Sequence, residues 1–238
     1  MTDAHCHVAR GASRHFLCDP CDGGAGPGDV RFAGTHPWQA EAFDASSLRA
    51  RLAADARLGV GEIGLDRLRS REIPPSMRAA FETQLEIAAE FRRPVVLHGA
   101  KCWGEVVKTV EAARRKTESE KCGMWIPAFL FHGFSRSDGL LPAMFALNGY
   151  VSIGPAILND HAVNYRALAK KIPSERLLVE TDCTAEAAAA TPSVEAVAAK
   201  LAEVRGEPPE SLAARLEENA DRFLQGAAPN LKQSGAAQ

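Results

Sequence analysis

The chain has 238 residues, 46% of them hydrophobic, and 28 Lys and Arg against 30 Asp and Glu give a formal net charge of −2. That length and apolar content suit one α/β domain with a sizeable core. The balanced charge excludes a whole-surface electrostatic grip on nucleic acid, which requires excess cations, but leaves room for a local basic site.

In chain order, TDAHCHV (2–8) and RHFLCD (14–19) are predicted as short strands. The Gly/Pro/Asp-rich loop 21–29 separates them from a third strand, VRFAGTHP, which ends at Pro37. DASSLRARLAADARL (44–58) is a helix whose first turn carries the Asp and Ser that helix N-termini prefer. GVGEIGLD (59–66) is a strand between glycines. Met77, Phe81, Leu85, Ala88 and Phe91 keep a helical period through 76–93, and PVVLHG (94–99) is a strand of the fully buried kind, without alternation. The rhythm continues with a helix at 103–116, a strand at 125–133, a helix at 136–149 closed by Gly149 and a strand at 150–154. A helix at 161–172, a strand at 176–182 and helices at 193–206 and 209–224 complete it. Residues 1–225 are read as one domain and 226–238 as a tail expected to be disordered.

Alternating strands and helices mean parallel βα units, which either an open doubly wound sheet or a closed (β/α) barrel can accommodate. The polar residues favour the barrel. The predicted strands end on His5 and His7, His36, Glu62, His98, His132 and Asp182, so five of the seven histidines lie at strand ends. A barrel gathers all strand C-termini on one face, whereas an open sheet spreads them along an edge.

On a strand, residues i and i+2 share a side, so His5 and His7 can aim two neutral imidazoles at one ion. Asp3 shares that side and is expected to accept a hydrogen bond from a ligating imidazole. Taken alone, the HxH pair reads equally as a surface strand with two histidines, and His98 or His132 as a satisfied core histidine. Glu62 is harder to place without an ion, because an unpaired carboxylate in an apolar strand is costly. Glu180, two residues before Asp182, is expected to orient a ligand or a water.

The opening MTDAHCHVAR lacks the basic start and apolar run of a secretory signal, and no apolar run reaches membrane-spanning length. Six scattered cysteines without such a signal suggest a reducing, cytoplasmic setting. Cys18 and Cys21 have CxxC spacing, but no second pair completes a zinc knuckle. Cys6 alternates with the histidine pair and is expected to point away into the helix layer; Cys102 and Cys183 are expected near the mouth without serving as ligands. The basic clusters at 67–71, 114–116 and 170–171 read first as solvated faces.

The segments DAHCHV, GTHPW, GEIGLD, FETQLEIAAEFRRPVVLH, FHGFSRS, YVSIGPA, RLLVETD and ENADRFL, in this order over residues 3–224, resemble the TatD-like metal-dependent deoxyribonucleases of the amidohydrolase superfamily. The resemblance implies a TIM-like (β/α) barrel with one or two divalent ions: zinc, magnesium, manganese or cobalt. It implies that His5, His7 and Asp182 hold one ion and that Glu62 bridges to a second held by His98 and His132. Asp182 would accept the proton of a metal-activated water, and His36, Lys101 and Ser135 would contact the substrate. The implied reaction is cleavage of DNA phosphodiesters from a 3′ end; no membrane or protein partner is implied.

Three departures stand near the expected mouth. Residues 8–35 replace what is usually a full βα unit, so the barrel is expected to be reduced or irregular there. Ala100, followed by Lys101, stands where the family commonly has a basic residue, and Arg67 stands where a tyrosine is frequent. These keep two alternatives in view: an ester, amide or lactone hydrolase on the same metals, including one acting on D-aminoacyl-tRNA, and a non-catalytic binding barrel.

Overall fold

Eight parallel strands lie side by side in chain order: β1 (Thr2–Cys6), β2 (Arg14–Cys18), β3 (Val30–Ala33), β4 (Gly59–Asp66), β5 (Val95–Ala100), β6 (Phe129–Phe131), β7 (Gly149–Ile153) and β8 (Leu177–Val179). The computed structural model describes residues 1–19, 25–119, 127–135 and 138–226. Just beyond β8 the sheet curls back onto β1. The Asp182 N–H donates to the His5 carbonyl (3.0 Å) and the His7 N–H to the Cys183 carbonyl (2.8 Å). The result is a nearly closed α/β barrel of the TIM type.

Seven α-helices accompany the strands among the described residues: α1 (Ala45–Ala54), α2 (Pro75–Glu90), α3 (Trp103–Ser119), α4 (Leu141–Ala146), α5 (Val163–Lys171), α6 (Val194–Arg205) and α7 (Pro209–Gln225). Local chemistry sets several ends. Asp44 accepts from the Ser46 and Ser47 N–H groups at the start of α1, Ser193 caps α6, and proline occupies the first turn of α2, α4 and α7. No helix of the described residues is long and apolar enough to cross a membrane.

The side-chain period of two sorts each strand into two layers. Val95 and Leu97, Phe129 and Phe131, Leu177 and Val179 pack into the large cluster that also takes Phe81, Leu85, Val106, Val110, Leu168 and Leu201 from the helices. The intervening Val96, Leu130, Tyr150 and Leu178 join Phe16, Phe32 and Phe223 in a second cluster that fills the lower barrel. Phe223 of α7 lies 5.7 Å from the Phe16 ring, 6.0 Å from Phe32 and 5.8 Å from Tyr150, so α7 plugs the bottom. Two residues further along the same faces stand His98, His132, Ser152 and Glu180. The alternation that packs the lower layer therefore carries polar groups to the upper one.

The expected irregularity takes a specific form. All eight strands are kept, but among the described residues no helix joins β1 to β2 or β2 to β3. Residues 37–42, just after the expected strand end, form a 3-10 turn. The helix expected over 136–149 is shorter, a 3-10 turn followed by α4, and Asn148 rather than Gly149 takes the left-handed conformation after it (φ 59°). Gly149 instead opens β7, where an added Cβ would meet the Met144 carbonyl. Cys6 does point away from the histidines, but it packs with Leu17, Cys183 and Ala188 rather than into a helix layer. Cys102 and Cys183 are buried, not exposed at the mouth. Cys21, residues 136–137 and the tail from 227 onward lie outside the described residues.

Phe223 is fully buried and touches three aromatic rings from three strands. Phe223→Ala is expected to cost about 3–5 kcal/mol of unfolding free energy in urea titrations, as a large cavity in an aromatic core should. A loss under about 1 kcal/mol would show that α7 does not seal the barrel.

Candidate metal centre and active site

Glu62 is the hub of the upper barrel. Its side chain is 5% exposed, and one carboxylate oxygen, Oε2, lies 2.5 Å from His132 Nε2, 3.2 Å from His98 Nδ1 and 3.7 Å from His5 Nε2. The other, Oε1, lies 3.6 Å from His7 Nε2 and 3.7 Å from His36 Nε2. Asp182 completes the ring, with Oδ1 at 3.4 Å from His5 Nε2 and 3.9 Å from His7 Nε2. Every residue expected from the strand ends thus meets in one place, and three sets within it have ligand atoms close enough to hold an ion: His5, His132 and Asp182; His5, His7 and Glu62; His36, Glu62 and His98.

The outer hydrogen bonds decide which ring nitrogens have a lone pair to offer. His7 Nδ1 donates to the Cys18 carbonyl (3.1 Å), which turns Nε2 toward Glu62. His98 Nε2 donates to Asp66 Oδ2 (2.9 Å), which turns Nδ1 toward Glu62 Oε2 (3.2 Å). His36 is the reverse. Its Nδ1 accepts from the Trp38 backbone N–H (3.1 Å), so the neutral ring carries its hydrogen on Nε2, the atom that faces Glu62. His36 is therefore a donor into the site, although its position would also let it join an ion. His5 and His132 stack at 3.9 Å, and buried His5 Nδ1 and Nε2 and His132 Nδ1 have no hydrogen-bond partner. Orphaned buried nitrogens beside two carboxylates fit a divalent cation.

Burial raises the Glu62 carboxyl, but the charge of His132 and the bonds from His132, His7 and His98 outweigh it and hold Glu62 well below its ordinary value. Asp182 is lowered too: burial lifts it, and the His5 imidazole 3.4 Å away, with the charge of His132, brings it down further. Burial lowers His7 and His98, but Glu62 acts on both and Asp66 on His98, so each is pushed up to about 9. Burial drives His36 down to about 4, keeping it neutral.

The flanking carboxylates work at one remove. Asp66, the last residue of GEIGLD, is the functional residue that the strand-end pattern missed. Its signal is the spacing of four from Glu62, which keeps it on the same side of the strand. Asp3 does not reach an imidazole as expected. Its oxygens accept from the Thr181 N–H (2.9 Å), the Thr181 hydroxyl (2.5 Å) and the His5 backbone N–H (3.4 Å), which ties β1 to the segment before Asp182. Burial lifts Asp3 to about 6. Glu180 accepts from the Gly133 N–H (2.8 Å) and the Ser152 hydroxyl, holding the backbone next to His132, and burial lifts it to about 7. Asp182 itself has φ 51°, a strained value for a residue with a side chain, and its carboxylate is 54% exposed at the mouth.

Two clefts open from this centre. Lys101 and Ser135 line one beside Leu68, His98, His132 and Asp182. Trp38 and Arg69 line the other beside His7, His36 and Glu62.

A buried carboxylate ringed by imidazoles at the C-terminal mouth of an α/β barrel defines the metal-dependent hydrolase class. The TatD-related DNase family model matches residues 28–225, and the chain belongs to that family. A relative from Edwardsiella piscicida, named a 3′-5′ ssDNA/RNA exonuclease TatD, is 32% identical over 154 residues, 63% of this chain and 56% of the relative. The chain thus spans little more than half the length of such curated relatives, although one of the same name from Cronobacter sakazakii is 30% identical over 83% of this chain and 78% of its own. Among solved structures, a TatD homologue from Escherichia coli K12 has a TM-score of 0.77 at 20% identity, covering 94% of this chain and 97% of that one, which is a likeness of fold.

The raised histidines set a pH dependence for protein stripped of metal. His7 and His98 hold protons up to about pH 9 in the folded chain, against an ordinary value of 6.5. Their stabilisation is complete below the unfolded value and fades as pH rises through the folded one. The melting temperature of chelated protein should therefore fall between pH 6.5 and 9.5 in scanning calorimetry, with a shallower slope in His98→Gln. A melting temperature that climbs over that window contradicts these assignments.

Proposed function

We propose that the chain hydrolyses DNA phosphodiesters, from a 3′ end, with one or two divalent ions seated around Glu62. The observation that carries this reading is the convergence of five imidazoles on one buried carboxylate, with His7 Nε2 and His98 Nδ1 turned inward by the outer hydrogen bonds of their rings. His5, His7 and Asp182 would hold one ion, His98 and His132 the other, and Glu62 would stand between them. The nitrogen-rich donor set suits zinc or cobalt better than magnesium. Bound there, the ions would lower the pKa of a water and polarise the phosphoryl oxygens.

The chain's own groups do the rest. Asp182, exposed at the mouth and anchored through its N–H to β1, receives the proton of the attacking water on its carboxylate. His36 offers its Nε2 hydrogen to a phosphoryl oxygen as negative charge builds there. Lys101 and Ser135 bind the phosphate from the opposite cleft. Asp66 holds the His98 ring with Nδ1 turned toward Glu62, where it could bind an ion. The names carried by the Edwardsiella and Cronobacter relatives support the same reaction, strand end and substrate.

Glu62 and His36 separate holding metal from serving substrate. Glu62→Ala should lose bound metal and hydrolysis together. His36→Ala should keep metal near the wild-type level while turnover of end-labelled single-stranded DNA falls by roughly 10²–10⁴-fold. Elemental analysis and a gel assay at saturating metal read both quantities. If His36→Ala sheds metal as fully as Glu62→Ala, His36 is a ligand; if Glu62→Ala keeps metal and activity, the hydrolase reading fails.

A further inference from the structure

Two residues at the mouth have no part in that reaction. Trp38 leaves 45% of its surface to solvent, an unusual position for a side chain with so much to gain from burial. It is nevertheless fixed. Its indole N–H donates to the Asp66 carboxylate, the group that also orients His98. Its ring meets that of His36 edge-on at 4.9 Å, and its backbone N–H is held by His36 Nδ1. Over the ring lies the Arg69 guanidinium, 3.6 Å from the centroid, and among the described residues Arg69 has no carboxylate partner.

An aromatic ring that is pinned yet exposed has lost its freedom before any ligand arrives, so little entropy remains to oppose binding. The planar cation beside it adds a second stacking surface and leaves N–H groups for an anion. Both residues line the cleft that runs to His7, His36 and Glu62. A π face, a guanidinium and the proposed metal centre in one cleft match a base, a neighbouring phosphate and the scissile phosphodiester. A paired, stacked base could not reach such a platform.

We infer that Trp38 and Arg69 form a stacking platform for the base next to the scissile phosphate. This rests on the nuclease reading and narrows its substrate. The simpler role, in which Trp38 only supports Asp66, would leave binding indifferent to whether a base is present.

The test compares short oligodeoxynucleotides that are intact, abasic at the last 3′ residue, or abasic at the next to last. Binding is read by fluorescence anisotropy on chelated protein, and cleavage separately on metal-loaded protein. Wild type should bind one of the two abasic strands about tenfold or more weakly than the intact strand. Trp38→Ala should bind all three alike, Trp38→Phe should keep most of the preference, and Arg69→Ala, at an exposed site, should reduce it. Equal binding of all three strands by wild type, or a preference that survives in Trp38→Ala, overturns the platform. Failure of metal-loaded wild type to cut the intact strand overturns the nuclease reading, while the base preference in binding is judged on its own.

Discussion

A carboxylate buried to 5% exposure must be neutralised, and at Glu62 five imidazoles converge to do it. Desolvating such a charge costs several kcal/mol unless partners repay it. Much of the upper barrel is arranged around that debt. The rings cannot all face one carboxylate by chance rotamers, and three are turned by an outer partner: the Cys18 carbonyl for His7, Asp66 for His98, the Trp38 N–H for His36. His5 and His132 have no such partner and stack on each other instead. Without metal, protons on His7 and His98 meet the need; an ion would meet it better, and would have to displace them.

The barrel supplies the convergence through the strand period. Val96, Leu130, Tyr150 and Leu178 fill the lower layer against Phe223, which sets His98, His132, Ser152 and Glu180 in the layer above. A slip of one residue in any of these strands would exchange core for site. At the seam, Asp3 grips Thr181 and the His5 carbonyl takes the Asp182 N–H, so the last strand's carboxylate is registered against the first strand's histidines.

Much of this was legible in the sequence, because strand ends are marked by short apolar runs and the residues just after them carry the chemistry. The HxH pair, Glu62, His98, His132 and Asp182 were readable in that way. Asp66 was not singled out, although a spacing of four on the predicted strand 59–66 sets it on the side of Glu62; its contact with His98 comes only with the pairing of the two strands. Trp38 was hidden for a related reason: the sequence suggests a strand end at Pro37, where the chain instead winds a 3-10 turn that lifts the indole to the mouth. Asp3 read as a partner for imidazole, since its face was right; its distance to Thr181 depends on closing the barrel, which no local pattern encodes. The missing helices after β1 and β2 followed from the short, glycine-rich spacing, and the eight strands lie in the predicted order.

The central claim is that Glu62 stands between bound cations. Anomalous diffraction from crystals grown with manganese measures this directly. The account predicts anomalous density beside Glu62, on the side of His5, His7 and Asp182, on the side of His98 and His132, or on both. Anomalous density elsewhere on the chain, with none touching Glu62, would contradict it.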